Sequence, residues 1–437
     1  MTASAPHDPQ PTDPQPHDPQ PTDPQPHEPP LYPFRDYDEL GLDPRLARLR
    51  AECPVSRIRL PYGGDAWLAT RYSDVTTVLA DPRFSRAAAC GPDVPRQTEA
   101  PPVATTILDL DRPEHGRLRR IAASAFAQWR IERLRPYVRQ VAAERIDALL
   151  AGPAPGDLYA AVALPVPLAV LCHVLGVPLA DRDRFRAWTH ALLMPGPMPA
   201  DEFRSVAAAL EDYLRELIAH RRESATGDLL SMLVRATDNG DRMTEQELVS
   251  FGVTLLAAGF ETTASQLASS AYLLLRHRHL WELLGREPDR VPAVVDELLR
   301  FVPLNGGSGL PRVATEDVEL GGVTVRAGEA VFASTISANR DDAVFPDADT
   351  FDPDRRPTAR HVTFGYGPHR CLGAWLATME IQEVVGALVA AAPGLRLADP
   401  DGVRWRAGTI VRGPLALPVD WPTGRTSTGQ SGGAPPA

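Results

Sequence analysis

The chain has few of the features that mark several common function classes. Only four cysteines, Cys53, Cys90, Cys172 and Cys371, are scattered through 437 residues. None has a second Cys or a His at zinc-site spacing, and no two have the spacing of a disulfide framework or a dithiol redox motif. A reducing cytoplasm is therefore the expected compartment. Basic residues are outnumbered, 45 against 56 acidic ones, and the net charge of −11 argues against a nucleic-acid binder. The residues before Leu31 lack the apolar stretch of a signal peptide. One uncharged apolar run, residues 159–180, is long enough to span a bilayer, but it contains Pro165, Pro167, His173 and Pro178. The prolines mark it as a buried helix with defined ends, so no membrane anchor is expected.

Residues 6–30 repeat a pentad of the type Pro-His-Asp-Pro-Gln, with His7, His17 and His27 recurring in it. Dense proline removes backbone donors, and no large apolar residue is there to bury. Residues 1–30 are thus expected to form an extended low-complexity tail rather than a metal site. A single folded unit is expected over residues 31–421, with a second polar tail at 422–437. Its pattern is mainly α with a smaller β region. Strands are read at residues 55–60 and 64–70, and between 318 and 331. Helices are read at 43–52, 74–79 (capped by Ser73), 139–150, 166–175, 200–224, 245–276 and 294–301. Residues 87–106 read as a long loop of the kind that covers sites, and Met194 to Pro199 as a breaker between two lid helices.

The most informative stretch is Phe364-Gly365-Tyr366-Gly367-Pro368-His369-Arg370-Cys371-Leu372-Gly373. Two glycines and a proline exclude ordinary helix before the cysteine, and a helical pattern starts after Gly373. Cys371 therefore stands at the mouth of a helix, whose orphan N–H groups favour an anion and lower a thiol pKa. A lone thiolate beside small residues and Phe364 suits a flat apolar partner, and a haem with one thiolate ligand meets all of these conditions. A buried free cysteine is the plainer alternative.

This loop resembles the cysteine-ligand loop of the cytochromes P450. The resemblance implies a P450 fold built as one haem-centred unit. It also implies a haem b whose iron is held by Cys371, with Phe364, Gly365, His369 and Gly373 as further contacts of the cofactor. Three more stretches resemble the family in the same order along the chain. His115 and Arg119, four residues apart on one helix face, resemble its propionate-binding pair. Ala257-Ala258-Gly259-Phe260-Glu261-Thr262 resembles its oxygen-activating motif. Ala258 and Gly259 give room beside the haem, while Glu261 and Thr262 handle protons, the Thr262 hydroxyl turning from the backbone toward oxygen. Glu297, Arg300 and a later arginine, Arg355, resemble a structural triad behind the haem. Arg312 and His361 resemble further propionate contacts. The arginines at 117, 120, 130, 133, 135 and 139 lie where electron donors dock in the family, which implies an acidic ferredoxin with its reductase, fed by NAD(P)H.

The expected protein is a cytoplasmic, monomeric monooxygenase that takes dioxygen and a hydrophobic small-molecule substrate, as in secondary metabolism, hydroxylating or epoxidising it. Two rivals use the same haem: oxidative coupling without oxygen insertion, and a non-enzymatic haem sensor. The Glu261–Thr262 pair weighs against the sensor, which needs no protons delivered.

Overall fold

Long apolar stripes repeating at helical spacing dictate most of the architecture. The structure is a computed structural model, and it describes residues 28–97, 106–181, 183–185, 187–188, 200–236, 242–306, 309–406 and 411–422. Residues 1–27, which hold most of the pentad repeat, residues 98–105 of the long loop, the Met194 to Pro199 breaker and the C-terminal tail after Pro422 lie outside the described residues.

The helix Ala374–Ala391, directly after the cysteine loop, is the central pillar. It buries Leu376, Met379, Ile381, Val384, Val385, Leu388 and Val389. Helices Arg135–Ala151, Glu261–Arg276, Arg278–Arg286 and Val291–Phe301 pack around it. At roughly 1.5–3 kcal/mol for each large apolar side chain taken out of water, this one helix contributes on the order of 10 kcal/mol before its ordering entropy is subtracted. The proline-marked run forms the helix Pro165–Leu175, closed by Gly176 in the left-handed conformation at φ +71°. Two apolar stretches, Glu245–Arg276 and Ala374–Ala391, have the length and composition to cross a membrane. In this fold 61% and 50% of them, respectively, is buried against other protein.

The β region lies beside these helices. Its five-stranded sheet runs Val55–Arg59, Asp65–Ala69, Ala330–Ala333, Arg312–Ala314, Phe84–Ser85. Only the pairing of Asp65–Ala69 with Ala330–Ala333 is parallel; the others are antiparallel. The hairpin Val318–Leu320 with Val323–Val325 turns at Gly321 and Gly322, both at positive φ.

Two local expectations are corrected. The helix after the first hairpin spans Tyr72–Ala80, so Ser73 lies inside its first turn instead of capping it. The Tyr72 N–H donates to Asp341 Oδ2 at 2.9 Å, a cap supplied from far along the chain. The stretch 245–276 is also not one helix: Glu245–Gly259 ends, and Glu261–Arg276 begins after Phe260.

Candidate active site

The cysteine loop is held by backbone geometry. Gly365 and Gly367 adopt φ of +72° and +69°. At Gly367 a Cβ would stand 2.7 Å from the Leu79 carbonyl oxygen and 2.8 Å from Ala80 Cα, so the loop passes against the end of the helix Tyr72–Ala80. The Cys371 N–H donates to the Phe364 carbonyl at 2.8 Å, and the Gly373 N–H donates to the sulfur. The thiol is open to a cavity while lying deep within the protein. Burial pushes its pKa up; the Gly373 N–H, Arg119 and Arg370 pull the other way without prevailing. The helix mouth alone therefore does not lower the thiol pKa as expected, and a thiolate here calls for a cation bound to it.

That cavity, of about 210 Å³, brings together Ala258, Gly259, Thr262, Phe364, Cys371 and Gly373. The oxygen-motif helix and the cysteine loop thus face each other across one mostly apolar slot. Thr262 Oγ1 donates to the Ala258 carbonyl at 2.6 Å, and Thr263 Oγ1 to the Gly259 carbonyl at 2.9 Å. This is the kinked-helix pattern of back-bonded hydroxyls. The Thr262 hydroxyl is thus not turned away from the backbone as expected. With its proton on Ala258, it offers lone pairs to the slot.

Glu261 does not line this slot. Its carboxylate is buried on another side of the helix and forms a short ion pair with Arg406. Oε1 also accepts from the Tyr159 hydroxyl at 3.1 Å and the Ser265 hydroxyl at 3.3 Å. Arg406 and Tyr159, far apart in sequence, were not foreseen, since only the tertiary fold brings the C-terminal hairpin onto this helix.

A second cleft of about 200 Å³ is lined by His115, Arg312 and His369 together with Asp111 and Arg112. His115 and His369 stack with centroids 3.9 Å apart. Burial, Arg119 and Arg312 lower the His115 pKa to about 4; burial, Arg312 and His115 lower that of His369 to about 3. Burial and Arg86 lower that of Arg312 to about 9, against the pull of Asp111. No hydrogen bond from the Arg312 side chain to a described residue is found, although its residue is only 5% exposed. Desolvated cationic groups without an anion close by are what a ligand's carboxylates would satisfy. Arg119 stands beside this group, its guanidinium donating to the Arg370 carbonyl. His361 instead lies against Asp296, with Nε2 3.4 Å from its carboxylate, and lines neither cavity.

Glu297, Arg300 and Arg355 come together as a buried brace. Arg300 forks onto Glu297 through two 2.7 Å bonds and donates to the carbonyls of Asn339, Ala348 and Thr350. Arg355 reaches Glu297 at 3.4 Å. The arginine run is less free than its sequence implied: Arg117 pairs with Glu247, and Arg135 and Arg139 both pair with Glu383. One buried acid was missed altogether. Glu380 lines the slot, and its Oε2 has no partner among the described residues. Its signal was present as a lone carboxylate on the apolar face of Ala374–Ala391. A larger cleft, of about 740 Å³ near Trp129 and Arg221, contains neither Cys371 nor Thr262, so chemistry and not volume locates the site.

The residues fit a flat apolar cofactor with one sulfur ligand and acidic edge groups. Comparison with known proteins agrees. The family model described as Cytochrome P450 matches residues 185–391. The chain is 49% identical over 392 residues to nocardicin C N-oxygenase of Nocardia uniformis subsp. tsuyamanensis, covering 89% of this chain and 98% of that protein. It is 47% identical over 391 residues to mycinamicin IV hydroxylase/epoxidase of Micromonospora griseorubida, with the same 89% and 98% coverage. A solved structure of the mixed-function P450 MycG superposes with a TM-score of 0.86 at 46% identity, over 90% of this chain and all of that one.

Proposed function

The chain belongs to the cytochrome P450 family of oxidoreductases, and from that footing we propose that it hydroxylates or epoxidises a hydrophobic secondary metabolite, using a haem held by Cys371. When bound, the haem supplies dioxygen activation driven by two electrons delivered singly. Cys371, steadied by the Gly373 N–H, would supply the sulfur that holds the iron. Arg312, His115, His369 and Arg119 would hold the propionates, and His361 would have to leave Asp296 to reach them. Phe364, Gly365 and Gly373 would hold the cofactor from the cysteine-loop side of the cavity, and Ala258 and Gly259 would give it room on the helix side. Thr262 positions a proton at the oxygen side of the slot, and Glu261 passes protons toward it. The apolar slot excludes bulk water, which protects the reaction from side paths.

A ferredoxin and its reductase are the proposed electron donors, docking in the cytoplasm near the arginine run. The pocket side accepts a terpenoid, polyketide or cyclic peptide. The carrying observation is that Cys371 and Thr262 face each other across one apolar cavity.

The test is spectral and chemical. Purified protein is expected to show a thiolate-haem band when reduced under carbon monoxide, and Cys371→Ser to lose it. With a surrogate ferredoxin and dioxygen, a compound that shifts the haem band is expected to gain one oxygen atom. An identical spectrum for the variant, or a product two hydrogens lighter with no added oxygen, refutes the ligand assignment or the oxygenase assignment respectively.

A further inference from the structure

We propose that the buried face of the helix Glu261–Arg276 carries a hydrated proton path from the surface to Glu261, with Ser265, Ser269 and Tyr272 as its fixed stations. The proposal deepens the reading above, because it rests on Glu261 as the group that passes protons toward Thr262.

Glu261, Ser265, Ser269, Tyr272 and Arg276 are spaced by four, four, three and four residues and so share one side of the helix. The first four are 5%, 0%, 1% and 2% exposed. A line of polar side chains inside an apolar core is costly unless each finds a partner. The inner end is satisfied in part: Ser265 donates to Glu261 and accepts from Arg406 Nη1 at 3.1 Å. Beyond it the partners run out. Glu261 Oε2, Arg406 Nε, Ser269 Oγ, Tyr272 OH and the neighbouring Trp405 Nε1 are all buried and have no hydrogen-bond partner among the described residues. These five atoms belong to one region, since Trp405 adjoins Arg406 and its ring meets Tyr272 edge-on at 5.1 Å. Five orphaned polar atoms in one region of a native core call for ordered water.

The geometry suits a single file. Residues four apart on a helix are displaced by about 6 Å, and one water making two hydrogen bonds of about 2.8 Å spans that gap. On the facing side Gly413 packs against Ser265, where a Cβ would lie 2.9 Å from Ser265 Cβ, so the waters belong between Ser265, Ser269 and Tyr272 along the helix. The outer end opens to solvent. Tyr272 and Arg276 line a surface cleft of about 620 Å³ together with Glu39. Burial and then Glu39 raise the Tyr272 pKa, so the phenol keeps its proton and accepts one only as it gives one up. The Glu39 carboxylate beside the hydroxyl favours the protonated phenol both as an acceptor and as a charge.

The demand is fixed by stoichiometry. Inserting one oxygen atom consumes R–H, dioxygen, two electrons and two protons, and yields R–OH and water. Both protons come from solvent. Each hop along the file breaks one O–H bond and makes the next, so no charge is left behind on a serine.

The experiment uses the haem-loaded full chain. A high-resolution crystal structure is expected to show waters bridging Ser265, Ser269 and Tyr272; a dry stripe overturns the proposal whatever the kinetics. Ser269→Val puts methyl groups in the file. With mycinamicin IV as probe substrate and a surrogate ferredoxin, product formed per NADPH is expected to fall roughly tenfold. The solvent deuterium isotope effect should rise, while the probe's spectral binding constant and the carbon monoxide band stay unchanged. Ser270→Val, equally buried but one residue off the stripe, is the control. Equal losses in the two variants overturn the path. Glu261→Gln separates the layers: if it leaves coupling intact, the role of Glu261 itself fails, whereas uncoupling by Glu261→Gln but not by Ser269→Val removes the path alone.

Discussion

Glu380→Gln is expected to stabilise the protein, and increasingly so as pH rises. Glu380 is 3% exposed, and burial raises its pKa from 4.5 to about 8. Between those values the folded chain holds a proton that the unfolded chain has released, so stability falls as pH rises. With 1.36 kcal/mol per unit, the cost of this residue is about 2 kcal/mol at pH 6 and about 4 kcal/mol at pH 8. Glutamine keeps the shape and does not titrate. The gain of Glu380→Gln over the parent should therefore grow by roughly 2 kcal/mol from pH 6 to pH 8. Urea unfolding of both proteins at several pH values, followed by circular dichroism, measures that difference. A gain that stays flat across this range shows that Glu380 is either already ionised in the fold or paired with a group that stabilises its charge.

Arg300→Met removes both bonds to Glu297 and leaves the buried carbonyls of Asn339 and Ala348 without their donor, so a loss of about 3–5 kcal/mol in urea stability is expected. Arg355→Met gives up one 3.4 Å contact to that carboxylate and bonds to the solvent-accessible carbonyls of Asp347 and Thr350, and should cost less; equal losses contradict the brace described above. Arg312→Leu is expected to lower the haem-to-protein ratio after gel filtration more than His361→Ala does, because His361 already has Asp296 as a partner. Gly365→Ala should cost roughly 1–2 kcal/mol for its left-handed backbone alone. Gly367→Ala should cost more, since its Cβ also meets Leu79 and Ala80, and thermal melts of the two variants give the order.

Much of the fold was legible because apolar spacing is a local signal. The first hairpin, the helix Pro165–Leu175 and the helix Ala200–Glu223 lie within a few residues of where the pattern put them. The cysteine loop was legible because glycine, proline and a lone thiol have few other uses together. What escaped was set by partners distant in sequence. Asp341, and not Ser73, caps the helix Tyr72–Ala80. Arg406 and Tyr159 claim the Glu261 carboxylate, and neither stands near it in the chain. Helical periodicity alone carries across the break at Phe260, since a break of one residue barely disturbs the apolar pattern.

The C-terminal hairpin sets a limit on how this protein can be trimmed for the laboratory. The strand Pro418–Asp420 pairs with both Gly156–Asp157 and Arg396–Leu397, and Trp421 fills the space where Gly156 lacks a side chain. A chain cut after Asp401 would forfeit that sheet and Arg406 at once, stranding an interior carboxylate more than a hundred residues upstream. Affinity tags and fusion partners must therefore leave the strand Pro418–Asp420 and Trp421 in place.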